Sequence, residues 1–158
     1  MAEGAIDLHA AGLTAAEIVT ALGLQTHPEG GWYKETWRDV PAEPGRRGAA
    51  TTILFLLKQG EESAWHRVDA AEIWLFHAGA PLELRIAEAG VTRTVLLGPV
   101  LRAETGSSGL QAVVPAFAWQ AARSVGTWSL VSCVVAPAFE FAGFEMAPNN
   151  EVPLLKPE

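Results

Sequence analysis

Residues 60–79 read GEESAWHRVDAAEIWLFHAG, and residues 109–124 read GLQAVVPAFAWQAARS. Each stretch places polar side chains inside an apolar run. Side chains two residues apart on a β-strand lie on the same face, so Glu72 shares a face with Trp74 and Phe76. If His66 and Gln120 lie on the matching inner faces of their own strands, they converge with Glu72. The two stretches therefore predict a pocket inside an apolar barrel.

Short apolar and β-branched runs surround these stretches from residue 51 onward. They are separated by Gly, Pro or charged turns, and they read TTILFLL, AEIWLF, LELRIA, TRTVLL, LQAVVP and WSLVSCVV. Regular short strands of this kind are typical of antiparallel sandwiches and barrels. Before them, Thr14 and Glu17 form a capping box ahead of a helically spaced apolar run. The fold class predicted is all-β with a short N-terminal helix.

The length and composition favour one domain over residues 1–158. The chain has 158 residues, of which 49% are hydrophobic, enough to bury a core. We expect the helix within 13–24 and the barrel with its lead-in segment over 25–146. The segment 147–158, which carries three prolines in PNNEVPLLKPE, is expected to be an irregular tail.

Charge and targeting signals exclude several classes of protein. Eleven Lys and Arg stand against 18 Asp and Glu, giving a net charge of -7 without a basic block, so nucleic acid is a poor partner. The N-terminus has no basic and apolar leader, and the apolar runs are strand-sized, so we expect no membrane association. The single cysteine, Cys133, fits a small buried side chain in a reducing compartment. We expect a cytoplasmic protein.

The spacing of the two stretches resembles that of the cupin family, whose motifs read G-x5-H-x-H-x3-E-x6-G and G-x5-P-x-G-x2-H-x3-N. The first motif is matched at full spacing except that Val68 replaces its second histidine. In the second motif, Phe117, Gln120 and Ser124 replace the glycine, histidine and asparagine. The matching residues are Gly60, His66, Glu72, Gly79, Gly109 and Pro115. The resemblance implies a cupin jelly-roll barrel, an antiparallel double-stranded β-helix.

Further segments resemble the uncharacterised cupin group known as domain of unknown function 985. They read HPEGGWYKETWR, WHR, DAAEIW, VPAFAWQ and VAPAFEFAGFEM, and they extend the resemblance from about Leu13 to Met146.

The resemblance has a direct implication for metal binding. Metal-dependent cupins hold a divalent ion with three histidines and one glutamate, whereas the matching positions here offer His66, Glu72 and the amide of Gln120. Val68 donates nothing, and an amide oxygen is a weak ligand. We therefore expect that no cofactor is required, and that any divalent metal on those three residues is weakly bound.

The alternative chemistry needs no metal and resembles that of cupin-fold sugar-nucleotide epimerases and isomerases. There, a histidine paired with a carboxylate removes a carbon-bound proton. His66 is the candidate base, with Glu72 as its partner. Tyr33, the single tyrosine of the chain, is the candidate general acid. Substrate-binding candidates are Gln120, Trp74, Glu35 and Ser124.

Three of the candidates also have a plain structural explanation. His66 could be a hydrogen-bonded core histidine, Gln120 could satisfy backbone groups at the barrel mouth, and Tyr33 could pack beside a turn. Arg67, of opposite parity to His66, is expected in a surface or dimer salt bridge. We predict a small-molecule ligand, with three functions open: an isomerase or epimerase of a sugar or nucleotide derivative, a non-catalytic binding protein, or a weakly metal-dependent enzyme. Short strands with exposed edges also predict a homodimer.

Overall fold

Two antiparallel sheets form the body of the protein. The computed structural model describes residues 5–100 and 109–153. It contains one α-helix, α1, over Ala15–Leu22. The strands are β1 (Gln25–Thr26), β2 (Trp32–Arg38), β3 (Thr51–Lys58), β4 (Glu62–Val68), β5 (Ala71–Gly79), β6 (Leu82–Glu88), β7 (Val91–Leu97), β8 (Gln111–Val114), β9 (Trp119–Ser124), β10 (Trp128–Ala136) and β11 (Phe144–Met146).

The strand order is that of a jelly roll. One sheet has six strands in the order β1-β2-β3-β10-β5-β8, and the other has five in the order β11-β4-β9-β6-β7. Each of the six runs predicted from the sequence contains a strand, and His66 and Gln120 lie on the strands β4 and β9, as their predicted alternation requires. The structure adds β1, β2 and β11. The all-β fold with a short N-terminal helix is therefore confirmed.

The capping box predicted for the helix is present. The Glu17 amide donates to Thr14 Oγ1 at 3.3 Å, and the Thr14 amide donates to Glu17 Oε2 at 2.8 Å. Gly23 ends the helix in the left-handed conformation, with φ 64°. Ile18, which is buried, packs with Leu56 and Leu130 on the outer face of the six-stranded sheet.

The cluster with the most buried apolar side chains among the described residues packs one end of the space between the sheets. Phe55 and Leu57 of β3, Trp74 of β5 and Leu84 of β6 meet there in one buried cluster. Inward residues nearer the other end of the same strands surround a cavity instead. The inner faces therefore divide into a packed end and a cavity end.

The lead-in segment closes one side of the cavity. A Cβ on Gly30 would lie 2.3 Å from the Glu62 carbonyl oxygen, and one on Gly31 would lie 2.8 Å from side-chain atoms of Phe55 and Leu57. Both glycines have positive φ, 103° and 77°. Only glycine allows this approach, which carries Glu29 against β4.

The described helices do not resemble membrane spans. Within residues 5–100 and 109–153, none has the length and apolar character that a bilayer crossing requires. A short 3-10 turn at Pro148–Asn150 begins the predicted tail, and residues 154–158 lie outside the described part.

Candidate functional site

A cavity of about 270 Å³ opens between the two sheets. It is lined by side chains from β1 to β5, from β10 and from the segment leading into β11. Four buried residues with groups that can bear a proton meet there, namely Glu29, His66, Glu72 and Cys133, and the imidazole of His27 joins them. Its volume suits a small ligand, since pockets for drug-sized ligands begin near 300 Å³.

His66 lies on β4 and is 1% exposed. Its Nδ1 is 2.7 Å from the Ala64 carbonyl oxygen, and because a carbonyl can only accept, Nδ1 carries a hydrogen. Its Nε2 is 3.0 Å from Glu29 Oε2. One proton must lie between that nitrogen and that oxygen for the contact to be a hydrogen bond, so Glu29 and His66 share it.

Burial determines where the shared proton rests. Glu29, also hydrogen bonded by Ser63 Oγ at 3.0 Å, has its pKa raised by burial to about 8. Burial lowers the pKa of His66, against the opposing effects of Glu72 and the Ala64 carbonyl. At neutral pH the proton therefore resides on Glu29, which donates it to a neutral imidazole.

Glu72 enters the cavity from β5. Its Oε2 accepts a hydrogen bond from Gln120 Nε2 at 2.5 Å, and Gln120 Oε1 accepts one from Trp74 Nε1 at 2.8 Å. Burial raises the pKa of Glu72 to about 7, partly offset by His66, and Glu29 raises it further. The Cys133 thiol also hydrogen bonds to this carboxyl group.

The predicted substrate-binding residues occupy different positions. Gln120 and Trp74 stand behind Glu72, outside the set of cavity-lining side chains, and orient its carboxyl group. Ser124 lies away from the cavity, where its Oγ accepts from Ser129 Oγ at 2.8 Å. Tyr33 and Glu35 do line the cavity. The structure thus brings together four of the seven predicted residues, namely His66, Glu72, Tyr33 and Glu35.

Arg38 and Glu35 form an ion pair at the more exposed rim of the cavity. Arg38 Nε and Nη2 donate to the two oxygens of Glu35 at 2.9 and 2.8 Å, and Arg38 Nη1 donates to the Phe139 carbonyl oxygen at 2.8 Å. The guanidinium is therefore already occupied by protein acceptors. Arg67, as expected from its parity, pairs with Glu145 on the outer surface at 2.7 Å.

Sequence reasoning missed Glu29 and His27. His27 Nδ1 accepts from the Glu29 amide at 3.2 Å, and burial together with His66 lowers the pKa of His27 to about 4. The sequence does place two ionisable residues, His27 and Glu29, just before the Gly30-Gly31 pair. Two adjacent glycines indicate a close approach of the backbone to another element, which would bury ionisable neighbours. The aromatic residues Phe139, Phe141 and Phe144 of the cavity wall were also missed.

The residues do not fit the three-histidine, one-glutamate centre of metal-dependent cupins. Val68 lines the cavity without offering a donor atom, and both ends of the Gln120 amide are engaged by Trp74 and Glu72. Over residues 5–100 and 109–153, no three His, Cys, Asp or Glu side chains are arranged to hold a metal ion. His66 and Glu72 remain from the predicted set, with Glu29 as the neighbour of the imidazole.

Comparison with known proteins gives the family and the fold. The family model described as Cupin superfamily (DUF985) matches residues 16–147. A hypothetical protein from Leishmania major is 35% identical with a TM-score of 0.72, covering 84% of this chain and 86% of that chain. A protein from Shewanella oneidensis is 34% identical with a TM-score of 0.76, covering 85% of each chain.

More distant structures share the architecture alone. Oxalate decarboxylase from Bacillus subtilis is 15% identical with a TM-score of 0.59, covering 77% of this chain and 29% of that chain. No curated protein matches the chain.

Proposed function

The chain belongs to the cupin superfamily, in the family described as DUF985, and from this premise we propose that it is a small-molecule enzyme, an isomerase or epimerase. It moves a carbon-bound proton without requiring a metal ion. The observation that carries the proposal is the 3.0 Å contact between Glu29 Oε2 and His66 Nε2 inside a buried cavity. A shared proton beside a second carboxyl group is the equipment that acid-base catalysis needs.

The two carboxyl groups take opposite roles, and the role of base moves from His66, the candidate from the sequence, to Glu72, because Glu29 occupies the His66 Nε2 atom. Glu72, whose pKa is raised to about 7, is about half ionised at neutral pH, and its carboxylate form accepts the proton from carbon. Glu29, whose pKa is raised to about 8, is protonated and, with His66, forms the donor pair. The contacts support this assignment, because Glu29 meets the imidazole directly whereas Glu72 accepts a hydrogen bond from the Gln120 amide, which favours its carboxylate form.

The proposed reaction is a proton transfer next to a carbonyl group. The C–H bond breaks toward the Glu72 carboxylate, and its electron pair moves to the carbonyl oxygen. The Glu29–His66 pair delivers its proton to that oxygen. For an isomer, Glu72 gives its proton to the neighbouring carbon and the hydroxyl group on the original carbon gives its proton to the Glu29–His66 pair, forming the new carbonyl. For an epimer, the enol oxygen returns its proton to the Glu29–His66 pair while a proton from solvent reaches the other face of the original carbon, and Glu72 releases its proton to solvent. No other reactant is consumed.

Tyr33 and the ion pair of Glu35 with Arg38 at the rim of the cavity limit which substrates we propose. Tyr33 lines the cavity and is a second candidate donor to the substrate oxygen, while Glu35 holds Arg38 in place. Sugar-type substrates carry the carbonyl and hydroxyl groups that these residues can bind. A nucleotide or sugar phosphate is less suited, because the guanidinium of Arg38 is occupied by Glu35 and Phe139.

Solvent exchange tests the proposal directly. A panel of aldoses, ketoses and amino sugars is incubated with the protein in deuterium oxide, and incorporation at carbon is followed by NMR. We expect incorporation with at least one panel member, and a loss of about 100-fold or more in Glu29→Gln. Glu43→Gln is the matched control, because Glu43 is an exposed loop carboxylate outside the cavity.

Two outcomes contradict the proposal. If deuterium exchange continues at an unchanged rate in Glu29→Gln, the proton shared by Glu29 and His66 takes no part in the reaction. Thermal stabilisation by a panel member without any exchange supports a non-catalytic binding protein instead, in which the cavity only retains its ligand.

A further inference from the structure

We propose that the cavity selects a small organic cation, so that the substrate carries a protonated amine or a quaternary ammonium group. This deepens the proposed function by naming the charge class of its substrate, and it rests on that proposal only in assigning the substrate to the same cavity.

The charges of the cavity lack a positive partner. Its lining holds three carboxyl groups, Glu29, Glu35 and Glu72, and one guanidinium, Arg38. Glu35 neutralises Arg38 through two hydrogen bonds at 2.9 and 2.8 Å. Glu29 shares its proton with His66 at 3.0 Å, so Glu72 is the cavity carboxyl group left to bear a negative charge without a cationic partner.

The raised pKa values of Glu29 and Glu72 agree with the lack of a cationic partner in the cavity. Burial raises the pKa of Glu29 to about 8 and that of Glu72 to about 7, because the neighbouring groups do not compensate for the loss of water. An entering cation would supply this compensation, whereas an entering anion would be repelled by Glu72.

Aromatic rings supply a second, independent attraction for a cation. His27 meets Tyr33 edge to face at 4.5 Å between centroids and Phe144 at 6.0 Å, and Phe139 and Phe141 continue the series at 5.0 Å from each other. All five rings line the cavity. Ring faces carry negative electrostatic potential and attract ammonium groups within about 6 Å.

Phe141 is less buried than Phe139 and Phe144, the other phenylalanines of this aromatic wall. It is 57% exposed and lies outside the buried clusters of the described residues, whereas Phe139 and Phe144 pack against the cluster of Val68 and Val135. Phe141 meets Phe139 and Phe144 edge to face at 5.0 and 6.1 Å and still keeps 57% of its surface exposed at the cavity, so its ring is accessible to a ligand there.

Three ligands of nearly equal shape but different charge test whether charge, and not size, determines the binding affinity of the cavity. Choline is the cation, 3,3-dimethyl-1-butanol is its uncharged analogue, and 3,3-dimethylbutanoate is the anion. Titration calorimetry at pH 7 and low ionic strength should give an affinity for choline about tenfold higher than for the alcohol. Binding of the carboxylate should be weaker than that of the alcohol.

Two variants and one control connect the preference to the named residues. Glu72→Gln keeps the shape and removes the charge, and Phe141→Leu keeps an apolar side chain and removes the ring. Each should reduce choline affinity about three- to tenfold and leave the alcohol unchanged. Phe117→Leu is the matched control, because Phe117 is 61% exposed and lies outside the cavity. Phe141→Leu keeps the test valid if Glu72→Gln is poorly folded.

Equal or tighter binding of the alcohol or the carboxylate overturns the inference, as does the absence of binding by all three. The result is separable from the proton-transfer proposal. Choline preference without deuterium exchange retains the cation site and rejects the enzyme. Exchange on uncharged sugars without choline preference retains the enzyme and rejects the cation site.

Discussion

The packed end and the cavity end of the barrel are built by the same strands and differ in what their inner faces carry. On β3, Phe55 and Leu57 fill the packed end, while Thr51 and Ile53 line the cavity. On β5, Trp74 lies in the packed end and Glu72 in the cavity. The alternation of the strands is continuous across both ends. The backbone pattern therefore allows either end of the barrel to be packed or to hold a cavity. The size and polarity of the inward side chains decide which end is packed.

Gln120 joins the two ends. Its amide accepts from the Trp74 indole on the packed side and donates to Glu72 on the cavity side. A buried polar group costs free energy unless it is hydrogen bonded, and one amide here satisfies an indole and a carboxyl group. The packed end thereby holds the cavity acid in position.

The largest expected contrast is between activity and stability at the cavity end. His66→Ala and Glu72→Gln should each lower the deuterium exchange rate about 10²- to 10⁴-fold. Their free energies of unfolding should fall by no more than about 1–2 kcal/mol, the cost of leaving one buried hydrogen-bond partner unpaired, because both side chains border a cavity rather than fill the core. Urea denaturation beside the exchange assay measures both. A loss of several kcal/mol in either variant would identify the pair as structural.

Truncation should have the opposite consequence at the packed end. Leu84→Ala, at a position 0% exposed, should cost about 2–5 kcal/mol by opening a void. Ile53→Ala, which borders the existing cavity, should cost less than about 2 kcal/mol. Equal losses in the two variants would show that the cavity end is packed as tightly as the core.

A smaller effect is expected from pH. Glu29 and Glu72 have pKa values raised from 4.5 to about 8 and about 7, so their stabilising contribution is full below about pH 4.5 and is lost as the pH rises through 8. His27, lowered from 6.5 to about 4, contributes above 6.5 and loses that contribution as the pH falls through 4.

Between pH 6.5 and 8 the carboxyl groups dominate, so the free energy of unfolding should decline with rising pH by on the order of 1 kcal/mol. Glu29→Gln should flatten this decline in a denaturation series, and the exposed control Glu43→Gln should not. A rise in stability over the same interval would contradict the proposed protonation of Glu29.

The smallest effect is expected from metal removal. Dialysed protein should hold clearly less than one divalent ion per chain by elemental analysis, and a chelator should shift the melting temperature little. The double variant Val68→His and Gln120→His, which supplies two imidazoles, should retain more zinc. One tightly held ion in the unmodified protein would instead make His66 and Glu72 metal ligands.

Local chemistry made much of the fold predictable. The capping box of Thr14 and Glu17 depends on residues three apart, and six strands follow from alternation within a few residues. His66 and Glu72 were predictable because motif spacing and strand parity agree. Trp74 and Ser124 share the required parity, but parity identifies a face and not a height along the strand, so the sequence could not show that they lie outside the cavity wall.

The amino-acid sequence by itself determined most of the strands, the short helix and the inward direction of His66 and Glu72, because these depend on neighbours along the chain. Tertiary structure alone decided that Glu29 would share a proton with His66. The two residues are far apart in sequence, and they meet only because Gly30 and Gly31 lack the side chains that would collide with β3 and β4. Burial then raised the pKa of Glu29, since the cost of desolvating a charge depends on what the fold places around it.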